Sequence, residues 1–403
     1  MLKGNIKILT VIICLVFLST GCEQTNSPVA GEATASFVPS TITPIPSETP
    51  HPTQTLVPTP TLIFANQETG IITYLQPSPA GYSLAFSSLD NKENLFLSNI
   101  NNIVKYEWAQ NYLYIAFTTQ KANQQELRLY IADIHTGEIK PINQIEGDVD
   151  DFSWQPKGDG LLFSNRRNNV CNIYLLNDIN KEPVKLNITP ETNCVKVENL
   201  IWSPGGDLFG FIPEYVPDPK KVDRAQKFYR VNGELISLFS YADIFNFKFI
   251  PNTDNFLSSN FRGLYLHNFK TVSNLKNIYR SPWRNWLIDN LAASPSGNRL
   301  AFRLLNYKNQ NESNIYLMDF SGSKETQIAK TNEGSYGNIF WLNDDNLLYF
   351  TECKKENCIL NRYSVETRET EYIKTIPSVN FIKNLMVVKL PDGINPLLLE
   401  LRP

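Results

Sequence analysis

The sequence predicts an all-β fold, a β-propeller of four-stranded blades. Three observations carry the prediction. A ten-residue phrase recurs along the chain, its copies beginning at residues 77, 108, 154, 202, 249, 293 and 341. After the first step the spacing is about 44–48 residues, the period of a radial or stacked β repeat. No comparable stretch places apolar residues at i, i+3, i+4 and i+7, so helices should be scarce.

Each copy opens as a hairpin. The clearest are Pro77-Ser-Pro-Ala-Gly-Tyr-Ser-Leu-Ala-Phe86 and Ala293-Ser-Pro-Ser-Gly-Asn-Arg-Leu-Ala-Phe302. Trp154 to Phe163 and Trp202 to Phe211 are close relatives, while the copies at Trp108, Phe249 and Trp341 lose part of the turn. In each, an apolar or aromatic residue ends a strand, a polar turn reverses the chain and a second strand follows. A third strand alternates with period two, as in Leu129-Tyr-Ile-Ala132 and Ile315-Tyr-Leu-Met318. A fourth follows in places, such as Glu234 to Phe239. Four antiparallel strands make one blade.

Seven copies predict seven blades, with eight, or six plus flanking strands, as alternatives. The short first step predicts a first blade lacking a full fourth strand. The strand-like tail segments Leu385 to Leu390 and Leu397 to Leu401 would complete it and close the ring.

The aromatic-Ser-Pro-x-Gly-x-x-Leu-Ala-Phe phrase, followed by a strand of the Ile-Tyr-Leu-Met-Asp type, resembles the TolB-type β-propeller repeat over roughly residues 70 to 375. That family usually has Asp before the turn glycine, where this chain has Ala80, Lys157, Gly205 and Ser296. The resemblance implies an exported binding scaffold, or a propeller accompanying a separate catalytic domain. It does not by itself imply a reaction.

The N-terminus reads as an export signal over residues 1–21. Lys3 and Lys7 are basic, Ile8 to Leu18 is apolar and too short for an ordinary span, and Leu18-Ser-Thr-Gly-Cys22 closes the segment. Small residues before a cysteine resemble the bacterial lipobox, which predicts a lipidated Cys22 and a head anchored outside the cytoplasm. An ordinary signal peptide is the alternative. Residues 22–61 are rich in Pro, Thr and Ser, and no Lys or Arg occurs between Lys7 and Lys92. Such a segment buries too little apolar surface to fold and makes a semi-rigid stalk. Residues 62–403 are the propeller.

Once Cys14 leaves with the signal and Cys22 carries lipid, Cys171, Cys194, Cys353 and Cys358 remain. They allow three pairings, and the sequence does not choose among them. A local bridge from Cys353 to Cys358 would staple a hairpin and leave Cys171 for Cys194. Four free thiols, or zinc without close Cys-x-x-Cys spacing, are the alternatives.

The net charge of −3, with no basic cluster, excludes a nucleic-acid partner. Catalysis finds little support. There is no Gly-x-Ser-x-Gly elbow and no His-Glu-x-x-His helix, and of three histidines only His267 falls on a strand, where an exposed residue is expected. The 403 residues leave no room for an added hydrolase domain. No cofactor and no metal are expected; the acidic run Glu146 to Asp151 lacks a calcium-loop spacing and reads as a solvated inter-blade loop.

Trp283, Arg284 and Trp286 form the one candidate binding cluster, although packing between blades is the favoured reading of the tryptophans. In a four-stranded blade the second-to-third loops and the blade connections emerge on one side. The disulfide candidates, the acidic run, the Pro213 to Gln226 insertion and Trp283–Trp286 all map there, which makes that side the expected ligand face. Three functions follow: a membrane-tethered scaffold for a protein, peptide or glycan; an accessory or sensor subunit of a membrane complex; or a carbohydrate-active enzyme (lyase or glycosidase) with carboxylates in the central channel.

Overall fold

The computed structural model describes residues 71–79, 81–88, 94–96, 100–120, 126–142, 145–215, 225–240, 246–268, 276–282, 285–341, 345–354, 357–377 and 386–388. The signal, Cys22 and the stalk lie outside them. All regular structure among the described residues is β. The strands form seven hydrogen-bonded antiparallel sheets.

Six sheets use strands consecutive in the chain. Sheet 2 is Ile103–Trp108, Tyr114–Gln120, Leu127–Asp133 and Ile139–Pro141. Sheet 3 is Phe152–Trp154, Leu161–Arg167, Val170–Leu176 and Val184–Lys185, with Glu191–Thr192 also paired to its third strand. Sheet 4 is Cys194–Trp202, Leu208–Tyr215, Ala225–Arg230 and Leu235–Ser240. Sheet 5 is Asn246–Phe249, Asn255–Asn260, Gly263–Asn268 and Lys276–Arg280. Sheet 6 is Trp286–Ala293, Arg299–Asn306, Ser313–Asp319 and Thr326–Thr331. Sheet 7 is Ser335–Trp341, Leu347–Lys354, Asn357–Ser364 and Thr370–Pro377.

Sheet 1 is composite: Ile71–Ser78, Gly81–Ser88 and Asn94–Phe96 are joined by Met386–Val388 from the tail. The tail strand was expected to supply a missing fourth strand. It adds instead at the opposite edge, pairing Val387 with Ile72. It therefore takes the place that the first strand holds in the other sheets, and the Pro77 hairpin joins a second strand to a third. This accounts for the short first step of the repeat, because one strand fewer separates that hairpin from the next phrase. Leu397 to Leu401 lies outside the described residues.

Neighbouring sheets pack face to face through apolar side chains. Ala301, Ile315 and Leu317 of sheet 6 meet Tyr336, Ile339, Leu348 and Phe350 of sheet 7. Ile72, Tyr74 and Ala85 of sheet 1 meet Tyr349, Cys358, Leu360 and Ile376 of sheet 7, so the last sheet packs on the first. Large aromatic side chains take part in this packing; Trp108, Phe117, Phe163, Phe211 and Phe256 are almost fully enclosed.

Side chains bond one sheet to the next in three belts. The first is made by the tryptophans that end the first strands of sheets 2, 3, 4 and 7. Trp154 Nε1 donates to Glu107 O, Trp202 Nε1 to Ser153 O and Trp341 Nε1 to Ala292 O, at 2.9–3.0 Å, each reaching back one sheet. Trp108 Nε1 reaches back to Thr73 Oγ1 at 3.0 Å.

The second belt lies three residues before the end of the first strand, where the chain carries Lys105, Asp151, Asn199, Asn246, Asn290 and Asn338 in sheets 2 to 7. Several of these reach forward one sheet. Lys105 Nζ donates to Phe152 O at 2.7 Å, Asp151 accepts from Leu200 N at 2.8 Å, and Asn290 Nδ2 donates to Gly337 O at 3.1 Å.

The third belt joins the short first-to-second turns. Asn252 Nδ2 donates to Pro295 O at 3.1 Å, Gln155 Nε2 to Gly206 O at 3.3 Å, and Ser296 to the Asp345 carboxylate. Gly297, at φ 76°, is required here, since a Cβ would lie 2.4 Å from Pro251 O in the neighbouring turn.

Thr73 tests the first belt where the ring closes. It is fully buried, and its hydroxyl oxygen accepts from both Trp108 Nε1 and Tyr106 Oη at 3.0 Å. Thr73→Val keeps the shape and removes the acceptor, leaving a buried indole N–H unpaired. Denaturant unfolding should show a loss of about 1–3 kcal/mol; an unchanged midpoint would mean the belt contributes nothing there.

Candidate binding face

The strand directions place second-to-third loops and sheet-to-sheet connections at one end of the ring. Both disulfides form at that end. Cys171 at the start of a third strand bonds Cys194 at the start of the next first strand, and Cys353 bonds Cys358 directly opposite it on the paired strand. These are the two pairs that the local reading favoured. Disulfides persist in oxidising compartments and so fit an extracytoplasmic domain.

The acidic run is fully committed. Glu146 pairs with Arg167 at 2.7 Å, Asp148 with Arg166 at 2.6 Å, Asp150 with Arg166 at 3.3 Å, and Asp151 with Lys105. Among the described residues no three His, Cys, Asp or Glu side chains are grouped to hold a metal. Beside the first disulfide, Glu191 accepts from Tyr215 Oη at 2.6 Å and from Lys227 Nζ at 2.5 Å, closing a third charge cluster.

The first strands carry a further charged group. Burial works against the Lys105 ammonium, but Asp151 and Glu107 outweigh it and hold its pKa above the ordinary lysine value. Burial raises the Glu107 carboxyl, against the pull of Lys105 and the Trp154 N–H. Lys248 holds the same place before Phe249 that Glu107 holds before Trp108. It is open to water, yet its surroundings depress its pKa through desolvation while Glu107 pulls it back. Its exposure argues that the depression is modest.

Of the sequence-predicted cluster, Trp286 is buried, packed with Ile288, Leu300 and Leu304 in the apolar cluster shared by sheets 5 and 6. It is thus a packing residue, as the alternative reading had it. Trp283 and Arg284 lie outside the described residues, as does the insertion at 216–224. His267 was expected to be exposed. It is buried, stacked on Phe256 with ring centroids 4.4 Å apart, and its Nε2 lies 2.7 Å from Ser258 Oγ. Apolar packing on both faces of the third strand of sheet 5 encloses it, and strand alternation alone gives no sign of that. The −3 polar position was missed altogether, although its recurrence as Asn or Asp before the aromatic is visible in the sequence.

These features define a β-propeller. No family model matches the chain, and no curated protein does. Solved structures do. A prolyl endopeptidase aligns with a TM-score of 0.56 at 12% identity, over 78% of this chain and 51% of that one. TolB from Acinetobacter baumannii aligns with a TM-score of 0.44 at 14% identity, over 77% of this chain and 64% of that one. The chain thus spans less than two thirds of either neighbour's length, and the likeness is one of fold. The fold agrees with the TolB-type repeat phrase read from the sequence.

His267 makes stability depend on pH. Burial pushes its pKa down to about 4 from 6.5. The unfolded chain therefore binds the proton more readily, and stability falls as pH drops from about 6.5 towards 4, with no contribution above that window. The loss should reach about 3 kcal/mol. His267→Gln, which retains a hydrogen-bonding amide near Ser258, should show a smaller difference in unfolding free energy between pH 7 and pH 4.5. Equal differences in the two proteins would place the acid sensitivity elsewhere.

Proposed function

We propose that the protein is a binding scaffold without covalent chemistry, tethered outside the cytoplasm by lipid on Cys22 and raised on the stalk of residues 22–61. In this reading the seven sheets are the seven blades of one ring, and partners bind at the disulfide-bearing face. The observation that carries it is the asymmetry between the two ends. On the short-turn end, polar groups are spent on the neighbouring turn. On the other, two disulfides and three ion-pair clusters rigidify loops that project to solvent, which lowers the entropy cost of ordering them on a partner.

Two first-strand carboxylates that could serve a channel enzyme are otherwise engaged. Asp151 takes Lys105, Phe152 N at 2.9 Å and Leu200 N at 2.8 Å, while Glu107 takes Trp154 N at 3.2 Å and Ser153 Oγ at 3.4 Å. That favours binding over hydrolysis.

Two measurements test the proposal. Cys22→Ser should release the protein from membranes or block its processing, and unchanged membrane fractionation would remove the lipid anchor. Replacing Cys171 and Cys194 by Ser should cost about 3 kcal/mol of stability, and Cys353 and Cys358 about 2 kcal/mol, from their loop lengths. Assayed where each variant is still folded, both should bind envelope material more weakly than the parent. Undiminished binding in both would move the site to another surface.

A further inference from the structure

Three exposed cations on the loop face, Arg262, Arg280 and Lys308, have no carboxylate partner among the described residues. On the same face Arg166, Arg167, Lys196, Lys227, Arg303 and Lys354 each hold an acid. The backbone brings the three together. Gly263 pairs with Arg280 across sheet 5, and Ser281 N donates to Arg262 O at 3.0 Å. From sheet 6, Tyr307 N donates to Asn285 O at 3.0 Å, and Lys308 follows it.

Between these cations lies an aromatic pair. Phe261, beside Arg262, meets Tyr307 edge to face with centroids 5.4 Å apart. Tyr307 is 43% exposed, whereas most of the large aromatics among the described residues are buried. The turns are held in place: Asn260 Oδ1 accepts from Arg262 N at 2.7 Å and Gly263 N at 3.1 Å, and Asn306 Oδ1 accepts from Lys308 N at 3.1 Å. Asn306 Nδ2 in turn engages Glu312 at 2.8 Å, so that acid is spent on the turn. Asn309 and Asn311 are exposed alongside.

We propose that this patch is where the face takes an anionic polysaccharide. A sugar ring lies on Tyr307 with Phe261 at its edge, its acidic groups meet Arg262, Arg280 and Lys308, and the asparagine amides take hydroxyls. Each part of the patch then has a use. Guanidinium groups match carboxylate or phosphate in a two-pronged fashion. The flat C–H face of a pyranose matches an exposed aromatic ring. An acidic peptide or an anionic lipid surface would engage the cations but leave the ring and amides idle. The proposal rests on the scaffold reading only for the choice of face.

The test uses the full mature chain with four probes: polygalacturonate, neutral dextran, polyglutamate, and phosphatidylglycerol vesicles. Polygalacturonate should bind, more weakly as salt rises, and dextran far less well. The pair Arg262→Gln and Arg280→Gln should weaken polygalacturonate binding at least tenfold and flatten its salt dependence, as lost ion contacts do. Tyr307→Ser should weaken it about tenfold with the salt dependence kept. All three residues are exposed, so melting temperatures should stay at the parent value; a lowered one for either variant is met by repeating the assay with Tyr307→Phe, which should retain binding. No binding of polygalacturonate at low salt overturns the proposal. So does polyglutamate or vesicle binding of equal strength that Tyr307→Ser leaves unaltered. If polygalacturonate fails while disulfide-dependent binding of envelope material persists, this site falls and the scaffold reading stands.

Discussion

The structure depends on how one sheet is joined to the next. Within a sheet the backbone ladder satisfies the polar groups, but between sheets side chains must do the joining. Apolar area supplies most of the attraction and is not directional, so it would permit sliding. The hydrogen bonds fix the offset. Trp154, Trp202 and Trp341 reach back one sheet, and Asp151 and Asn290 near the other end of the first strands reach across the joint by a second route. Two bonds at different heights on one joint resist both sliding and tilt. A tryptophan suits the first position because it combines a large apolar body with a single N–H that must be satisfied when buried.

This constraint also divides the labour between the two ends. A short turn that must meet its neighbour, as Ser296 meets Asp345 and Asn252 meets Pro295, is constrained in length and in chemistry. It cannot vary to suit a partner. Among the described residues the opposite loops are held instead by disulfides and by ion pairs internal to one or two sheets. Their lengths are free to differ, from the two-residue Asn168–Asn169 turn to the longer 307–312 loop. Positive φ at both Asn168 and Asn169 marks a tight hairpin turn of the type that asparagine tolerates.

The repeat was legible because its parts obey local rules: a polar turn, a period-two strand, an aromatic at the strand end. The strand order within sheets 2 to 7 followed from those, whereas the pairing of the four cysteines came only from the structure. The role of the tail strand was not, since a three-residue strand chooses its edge through a pairing with residues more than 300 positions away in the chain. The Pro77 phrase looks like the others because any exposed hairpin in such a chain needs the same turn chemistry, whichever two strands it joins. His267 shows the same limit: it lies on a strand where the pattern gives the face but not what is packed over it. The belt residues Lys105, Asp151 and the asparagines escaped notice because their meaning is relational. Each is unremarkable in its own strand and acquires a function only when the strands are set side by side.

The charged belt positions have a further consequence for the interior of the ring. Sheets 4 to 7 carry asparagine at the place where sheets 2 and 3 carry Lys105 and Asp151. An amide can donate to one sheet and accept from another without bringing a charge, so the neutral version satisfies the joint at low desolvation cost. A lysine beside an aspartate achieves the same with opposite charges, and the pair must be kept together, because a lone buried charge would cost several kcal/mol. Glu107 and Lys248, on strands three sheets apart, also attract one another, and each carries a pKa displaced towards its neutral form by desolvation that this attraction partly offsets. Charge on these first strands is thus set against opposite charge, while Arg262, Arg280 and Lys308 stand at the rim, where water reaches them.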